Sequence, residues 1–310
     1  MLGQRGAAEP GEQTTTLHST ARLVVVPALV RDHAGQVVAG LSASSFRLTD
    51  DSVEQTLTVE PPEAESTDVV ILLQTGGEAQ RAFPYYRDVG PMVEPMMGKS
   101  PHRVALVTFD SKVEQIWNFP PRGEGINYAF AHPQAGDGGA ALLDAIDFAV
   151  KMLDEQVASR RMIVLFSQDY DAGSKTTAEA VVKRLGESNT AIYTLSLTAA
   201  KKGGEVAVYD GVQGGTSPGS SLGAALAAVH ADTAGAMAEL SGGEHFRFRN
   251  KHELEVGLGQ LGRHVPDRYI LSFRPTSKTP GFHSLAITAE DPRDKKGPLH
   301  IDARSGYWAR

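Results

Sequence analysis

Short apolar runs and amphipathic stretches follow one another along most of this chain, framed at both ends by less regular alternation. Residues 22–30 (RLVVVPALV) are largely β-branched and apolar, and Asp32-His33-Ala34-Gly35 after them signals a turn. Residues 46–48 and 53–59 flank Asp50-Asp51 like the arms of a hairpin. In the second arm Val53, Gln55, Leu57 and Val59 alternate with Glu54, Thr56 and Thr58, a partial pattern that suits an edge or half-buried sheet. Pro61-Pro62-Glu63-Ala64-Glu65-Ser66 then interrupts any element and predicts a linker.

From residue 68 to about 262 the texture changes. Strands are predicted at 69–73, 104–109, 113–117, 162–166, 191–197 and 246–248. Helices are predicted at 81–97, with Pro84 in the first turn, and at 140–157, 176–185, 221–240 and 251–261. The second of these helices is the most amphipathic. Leu142, Ala145, Ile146, Ala149, Val150 and Leu153 share a face opposite Asp144, Asp147, Lys151 and Asp154. Ser241-Gly242-Gly243 is a C-cap signal for the fourth.

Strands alternating with helices imply an α/β fold with a doubly wound, mainly parallel sheet covered on both faces. The gap before 113–117 is too short for a crossover, so this strand is expected as an antiparallel edge. Residues 269–273, 283–288 and 300–304 return to β, which predicts a small sheet or sandwich formed by the N- and C-terminal strands. The expected organisation is a flexible polar lead-in (1–20), an N-terminal β segment (21–60), an α/β domain (67–264) and a C-terminal β segment (267–310) packing with 21–60. Residues 211–221 form a Gly/Ser-rich patch, and there are no internal repeats.

Composition narrows the chemistry. The 310 residues carry 30 Lys and Arg against 37 Asp and Glu, a net charge of −7. That balance argues against a nucleic-acid partner, which calls for a basic face. Without cysteine there is no disulfide, no thiolate zinc site and no cysteine nucleophile. The longest apolar runs, 23–30 and 69–73, are too short to span a bilayer, so no transmembrane segment is expected. The N-terminal stretch has no apolar signal core, which leaves a cytosolic chain or one whose signal was removed before this numbering begins.

Catalytic motifs are weak. Gly215-Thr216-Ser217-Pro218-Gly219 has the spacing of a hydrolase nucleophile elbow, but no strand leads into it. Pro218 also lacks the N–H that an oxyanion hole would use. Gly98-Lys99-Ser100 resembles the end of a phosphate-binding loop, yet the first glycine of that motif is missing and the preceding segment reads as helix. None of the ten histidines has zinc-pair spacing; His230 and His245 read as packing or surface residues, and His102, His264, His283 and His300 as scattered. Trp117 and Tyr307 read as packing aromatics, whereas Tyr85 and Tyr86 are open to either packing or contact.

Several segments together resemble von Willebrand factor A-type (vWA) domains. Val69-Val70-Ile71-Leu72-Leu73 followed by Gln74-Thr75-Gly76-Gly77-Glu78 resembles their first strand and metal loop. Residues 104–110 resemble their second strand, 138–146 the loop and helix that carry a metal-binding threonine, and 163–169 the strand that carries the last metal aspartate. Residues 238–243 followed by Phe246 resemble their closing helix and strand. The flanks, with Val30-Arg31-Asp32, Gly35, Phe46 and Asp50 at one end and Arg268–Phe273 and Ala303–Tyr307 at the other, are similar to the VWFA-related acidobacterial domain family. The resemblance covers residues 21 to 308. It implies an exported protein, secreted or periplasmic, whose vWA-like part is 67–264.

In vWA domains the loop reads Asp-x-Ser-x-Ser, with a threonine and an aspartate from later loops, around Mg²⁺ or a similar cation. Here the aspartate position is Gln74, the serine positions are Gly76 and Glu78, the threonine position is Ala140 and the last aspartate position is Gln168. Hard cations need oxygen donors including a carboxylate, and this set supplies too few. No metal ligand and no cofactor is therefore expected. Gln74 and Gln168 can offer amide oxygens but no charge, and the two could hydrogen-bond one another where the cation would sit. The rival is a displaced Mg²⁺ or Ca²⁺ held by Glu78, Asp137, Asp169 and Asp171; four solvated acids are the preferred reading.

These residues predict a non-catalytic protein-binding or scaffold module, probed at a rim made of Gln74, Thr75, Gly76, Glu78, Asp137, Ala140, Gln168, Asp169 and Asp171. Metal-dependent adhesion through the displaced acids, a structural envelope role and a hydrolase are the alternatives, the hydrolase lacking any visible nucleophile–base pair. The sequence names neither the partner nor the oligomeric state.

Overall fold

The computed structural model describes residues 23–60, 66–98, 100–119, 123–158, 160–198, 221–293 and 297–309. The lead-in 1–20, residues 211–220 with the Gly215–Gly219 motif, Lys99 and most of the Pro61 linker lie outside the described residues.

Fourteen strands and eight α-helices are described. The N-terminal strands are β1 (Val24–Arg31), β2 (Phe46–Asp50), β3 (Val53–Gln55) and β4 (Leu57–Glu60). The α/β unit follows as β5 (Thr67–Gln74), α1 (Phe83–Tyr86), α2 (Gly90–Met96), β6 (His102–Phe109), β7 (Val113–Trp117), α3 (Gly123–Ala131), α4 (Leu142–Asp154) and β8 (Arg160–Gln168). It continues with α5 (Ala178–Ser188), β9 (Thr190–Leu197), α6 (Leu222–Ala231), α7 (Thr233–Ser241), β10 (His245–Phe248) and α8 (Lys251–His264). The C-terminal strands are β11 (Tyr269–Phe273), β12 (Gly281–Ala289), β13 (His300–Ala303) and β14 (Gly306–Ala309).

The central sheet runs β10-β9-β8-β5-β6-β7. Every neighbouring pair is parallel except β6 and β7, so β7 is the antiparallel edge that the short gap predicts. β5 is apolar throughout because both of its faces are covered. Val69, Ile71 and Leu73 pack with Tyr86, Val93, Phe130 and Leu258 on one side. Val70 and Leu72 pack with Leu142, Ile146, Val181 and Met237 on the other. Chain order reverses between β5 and β8, which creates a crevice at the carboxyl ends of these two strands.

Strands from both ends of the chain interleave in two further sheets, β13-β1-β11-β4 and β14-β12-β2-β3, around a core that includes Val26, Leu48, Leu271 and Ile287. The expected fold class, α/β with a terminal sandwich, is the one observed. Arg304, buried just before β14, fastens the sandwich to the α/β unit. It donates to the Leu185 and Gly186 carbonyls in the last turns of α5, at 3.1 and 2.9 Å, and to the Val25 carbonyl of β1 at 3.2 Å. Burial pulls its guanidinium pKa down to about 10, so it stays charged at neutral pH.

Three helix expectations change. Residues 81–97 do not form one helix. A 3₁₀ segment (Gly77–Ala82), α1 and α2 divide the region, because Pro84, Pro91 and Pro95 each lack an N–H for the helical ladder. Residues 221–240 break at Asp232, which adopts extended backbone (φ −151°, ψ 93°) and accepts from Gly235 N at 2.9 Å to cap α7. α3 is an added helix; Gly123 and Gly125 at its start mask its propensity.

Candidate functional site

The crevice between β5 and β8 is filled by two glutamine side chains. Gln74 ends β5 and Gln168 ends β8, and both are buried. Gln74 Nε2 donates to Gln168 Oε1 at 3.2 Å and to the Gly76 carbonyl at 2.9 Å. Gln74 Oε1 accepts from Gln168 N at 2.9 Å. Gln168 Oε1 also accepts from Glu78 N at 3.1 Å, and its Nε2 donates to the Tyr170 carbonyl at 2.9 Å. Every amide atom has a partner, so the pair is neutral and satisfied. The mutual bond is the one the sequence leaves open to these two residues.

The surrounding loops close on this pair. A Cβ on Gly76 would lie 2.3 Å from the Gly139 carbonyl oxygen and 2.9 Å from that of Asp137. No side chain fits there without moving backbone. Gly77, at φ +55°, turns the chain and donates to the Asp137 carbonyl at 3.1 Å. Thr75 is buried, and its carbonyl accepts from Gly136 N at 2.9 Å. Ala140, also buried, exchanges two backbone hydrogen bonds with Ala172, at 3.0 and 2.8 Å, which ties the 136–140 loop to the 169–172 loop.

Asp110 is the loop organiser that the sequence did not reveal. Its buried carboxylate accepts from Asp137 N at 3.0 Å and Lys112 N at 3.2 Å. Its own carbonyl accepts from Ala141 N at 2.8 Å.

The four rim acids are not brought together. Glu78 pairs with Arg81. Asp137 accepts from the Ser111 hydroxyl, from Gly139 N at 2.7 Å and from Ser111 N at 3.2 Å. The Ser111 hydroxyl, followed by the Gly139 amide, holds its carboxyl below the ordinary value. Asp171 accepts from Leu143 N at 3.1 Å and from the Ser174 hydroxyl, so it satisfies an orphan donor in the first turn of α4.

Asp169 turns away toward β9 and β10. It accepts from the hydroxyls of Ser196 and Thr198, with His245 Nε2 at 3.5 Å and Arg247 Nε at 3.7 Å. Burial opposes its ionisation, but His245, Ser196 and Arg247 hold its carboxyl below the usual range. Asp232 completes the group, paired with Arg247 and 3.6 Å from His245 Nδ1. His245 is therefore a buried member of a polar cluster rather than a simple packing residue. Ser196 Oγ lies 2.6 Å from His245 Nε2, a contact between residues 49 apart in the chain. Ser196 is fully enclosed and its proton is engaged by Asp169, so the pair offers no face to a substrate.

Two exposed aromatics join the rim. Tyr170 is half exposed in the loop after Gln168. Tyr128 borders a cleft of about 380 Å³ beside the rim, lined also by Thr75, Asp110, Trp117, His132 and Gly136. Tyr86 is buried against Phe130 and Phe166, and Tyr85 packs against Phe248, so both belong to the core.

No family model matches the chain, and no curated protein matches it. Solved structures do resemble it. A PilB minor pilin (D319A mutant) from Streptococcus sanguinis aligns at 10% identity over 66% of this chain and 62% of its own, with a TM-score of 0.45. The vWF domain of the type V pili tip protein Mfa5 from Porphyromonas gingivalis aligns at 16% identity over 34% of this chain and 39% of its own, TM-score 0.29. The conserved hypothetical protein BatB from Bacteroides thetaiotaomicron aligns at 12% identity over 64% of this chain and 99% of its own, TM-score 0.40. The chain thus spans less than two thirds of the two pilus proteins' length.

Proposed function

We propose that this chain is a non-catalytic protein-binding or scaffold module of the vWA type, which meets its partner at the carboxyl rim of the central sheet without a cation. The observation that carries this reading is the Gln74–Gln168 pair. A metal-bridged rim presents a positive open coordination site to a carboxylate. A neutral, fully bonded amide pair presents none, so recognition must come from the shape and side chains of the loops around it.

Those loops are held without an ion by Asp110 and by the Ala140–Ala172 bridge. Such pre-organisation lowers the ordering cost of binding. Tyr170, beside the pair, and Tyr128, at the cleft, supply the amphipathic aromatic surface on which protein contacts concentrate. The partner is read as protein, not nucleic acid, given the net charge of −7. No helix among the described residues is long and apolar enough to cross a membrane. The secreted or periplasmic location implied by the resemblance belongs to the same reading.

Affinity capture from source-cell extract tests it. In EDTA the wild type is expected to retain a partner that Tyr170→Asp loses, since this side chain is half exposed and its loss leaves the core intact. Capture that needs Mg²⁺, or that Tyr170→Asp leaves unchanged, contradicts the proposal.

A further inference from the structure

A second constellation lies in the terminal sandwich and is independent of the reading above. Asp50 ends β2, Asp51 opens the turn to β3, and His283 stands on the neighbouring β12. One ligand atom from each lies within 4.8 Å of the others. His283 Nδ1 is 3.1 Å from Asp50 Oδ1 and 2.9 Å from Asp51 Oδ2.

Each group is held from behind. His283 Nε2 faces the Thr279 carbonyl at 2.8 Å; a carbonyl only accepts, so the proton sits on Nε2 and Nδ1 is aimed at the carboxylates. Asp50 Oδ2 accepts from the Tyr307 hydroxyl at 2.8 Å. Asp51 Oδ1 accepts from Ser284 N at 2.9 Å and Ser284 Oγ at 3.1 Å. The imidazole ring is stacked on Tyr307, with centroids 5.1 Å apart.

We propose that His283 Nδ1, Asp50 Oδ1 and Asp51 Oδ2 form a three-ligand site for one divalent ion of the zinc class. Metal-bound histidines donate their other N–H to a carbonyl or carboxylate, and ligating carboxylates are themselves hydrogen-bonded, which is the arrangement found on all three groups. One imidazole nitrogen with two carboxylate oxygens suits zinc better than Mg²⁺ or Ca²⁺, which take oxygen alone. Tetrahedral zinc ligands stand about 3.3 Å apart, so Nδ1 and each of the two carboxylate oxygens need to separate by only a few tenths of an ångström. His283 and Asp50 are buried and the Asp51 side chain is 53% exposed, which leaves the fourth position toward solvent for water.

Burial alone would lower the imidazole pKa, but the Thr279 carbonyl, Asp50 and Asp51 together raise it above its ordinary value. The other ionisable groups around the ring are the Tyr307 phenol, which burial and Asp50 keep neutral, and Arg304 beyond it. Zinc takes imidazole and carboxylates only in their unprotonated forms, so its affinity falls as pH falls.

Calorimetric titration of ZnCl₂ into the untagged, chelator-stripped full chain at neutral pH is the test. One equivalent is expected to bind. Asp51→Asn, which keeps the left-handed turn conformation (φ +46°) accessible, should weaken binding by about tenfold or more, and His283→Gln should abolish it. No uptake by the wild type, uptake unchanged in both variants, or uptake lost instead with His245→Asn overturns the proposal.

Discussion

Gln74→Glu should destabilise the protein by roughly 3–5 kcal/mol at neutral pH, although it changes no volume. The new carboxylate would be buried, with acceptor oxygens of Gly76 and Gln168 at the positions where the amide now donates, at 2.9 and 3.2 Å. Only Gln168 N remains to bond it. Burial and the missing donors raise the folded-state pKa above the unfolded value of about 4.3. The deficit relative to wild type is therefore smallest below that value and grows as pH rises through the raised pKa. Urea unfolding of both proteins across the acid-to-neutral range reads this directly. A deficit independent of pH would mean that the crevice is wet or already charged.

Glu244→Ala should cost a similar roughly 3–5 kcal/mol, by leaving a cation buried without its partner. Glu244 lies between α7 and β10, and Arg268 just before β11; both side chains are almost fully enclosed, with Arg268 Nη2 2.8 Å from Glu244 Oε2. Glu244 Oε1 meets His264 Nδ1 at 2.8 Å. Arg268 donates to the Gly242 carbonyl at 2.7 Å and lies over the Tyr193 ring. This network joins the α/β unit to the start of β11 in the sandwich. Burial opposes ionisation of Glu244, but the Arg268 charge and the His264 bond bring its pKa down to about 2. A depressed carboxyl contributes stability that is present above the unfolded value of about 4.3 and lost as pH falls through about 2. Denaturant melts should show the full loss at pH 7. The double variant with Arg268→Met should be less than additive, because the orphaned charge is gone. A cost below about 1 kcal/mol for Glu244→Ala would show that water reaches Arg268.

Much of the fold is legible in the sequence because the periodicities are strong where both faces are buried. β5 reads as a continuous apolar run and α4 as a sharply amphipathic helix, and each is found close to the predicted bounds. Segments governed by single residues are less legible. Three prolines divide the stretch after β5, and Asp232 prefers capping α7 to continuing α6. That residues 74, 76 and 140 carry no carboxylate or hydroxyl can be read position by position, and so can the chance that two glutamines bond. The close approach of Gly139 to Gly76 and the Ala140–Ala172 bridge cannot, since they are backbone contacts with no side-chain signature. The rim acids share a rim in sequence terms, but local donors such as Ser111, Leu143 N and Arg81 claim them one by one. Asp169, Ser196, Asp232 and His245 meet from four separate segments, and Asp50 meets His283 across 233 residues. Spacing along the chain says nothing of such encounters.

The most direct test of the central claim is a thermal melt of the wild type in excess EDTA and then in millimolar Mg²⁺ or Ca²⁺. A cation bound only by the folded state must raise the midpoint. With the crevice closed by the Gln74–Gln168 pair, the midpoint is expected to stay where it is. A rise of several degrees, abolished by Glu78→Ala, would show that the rim does hold an ion and would contradict the account.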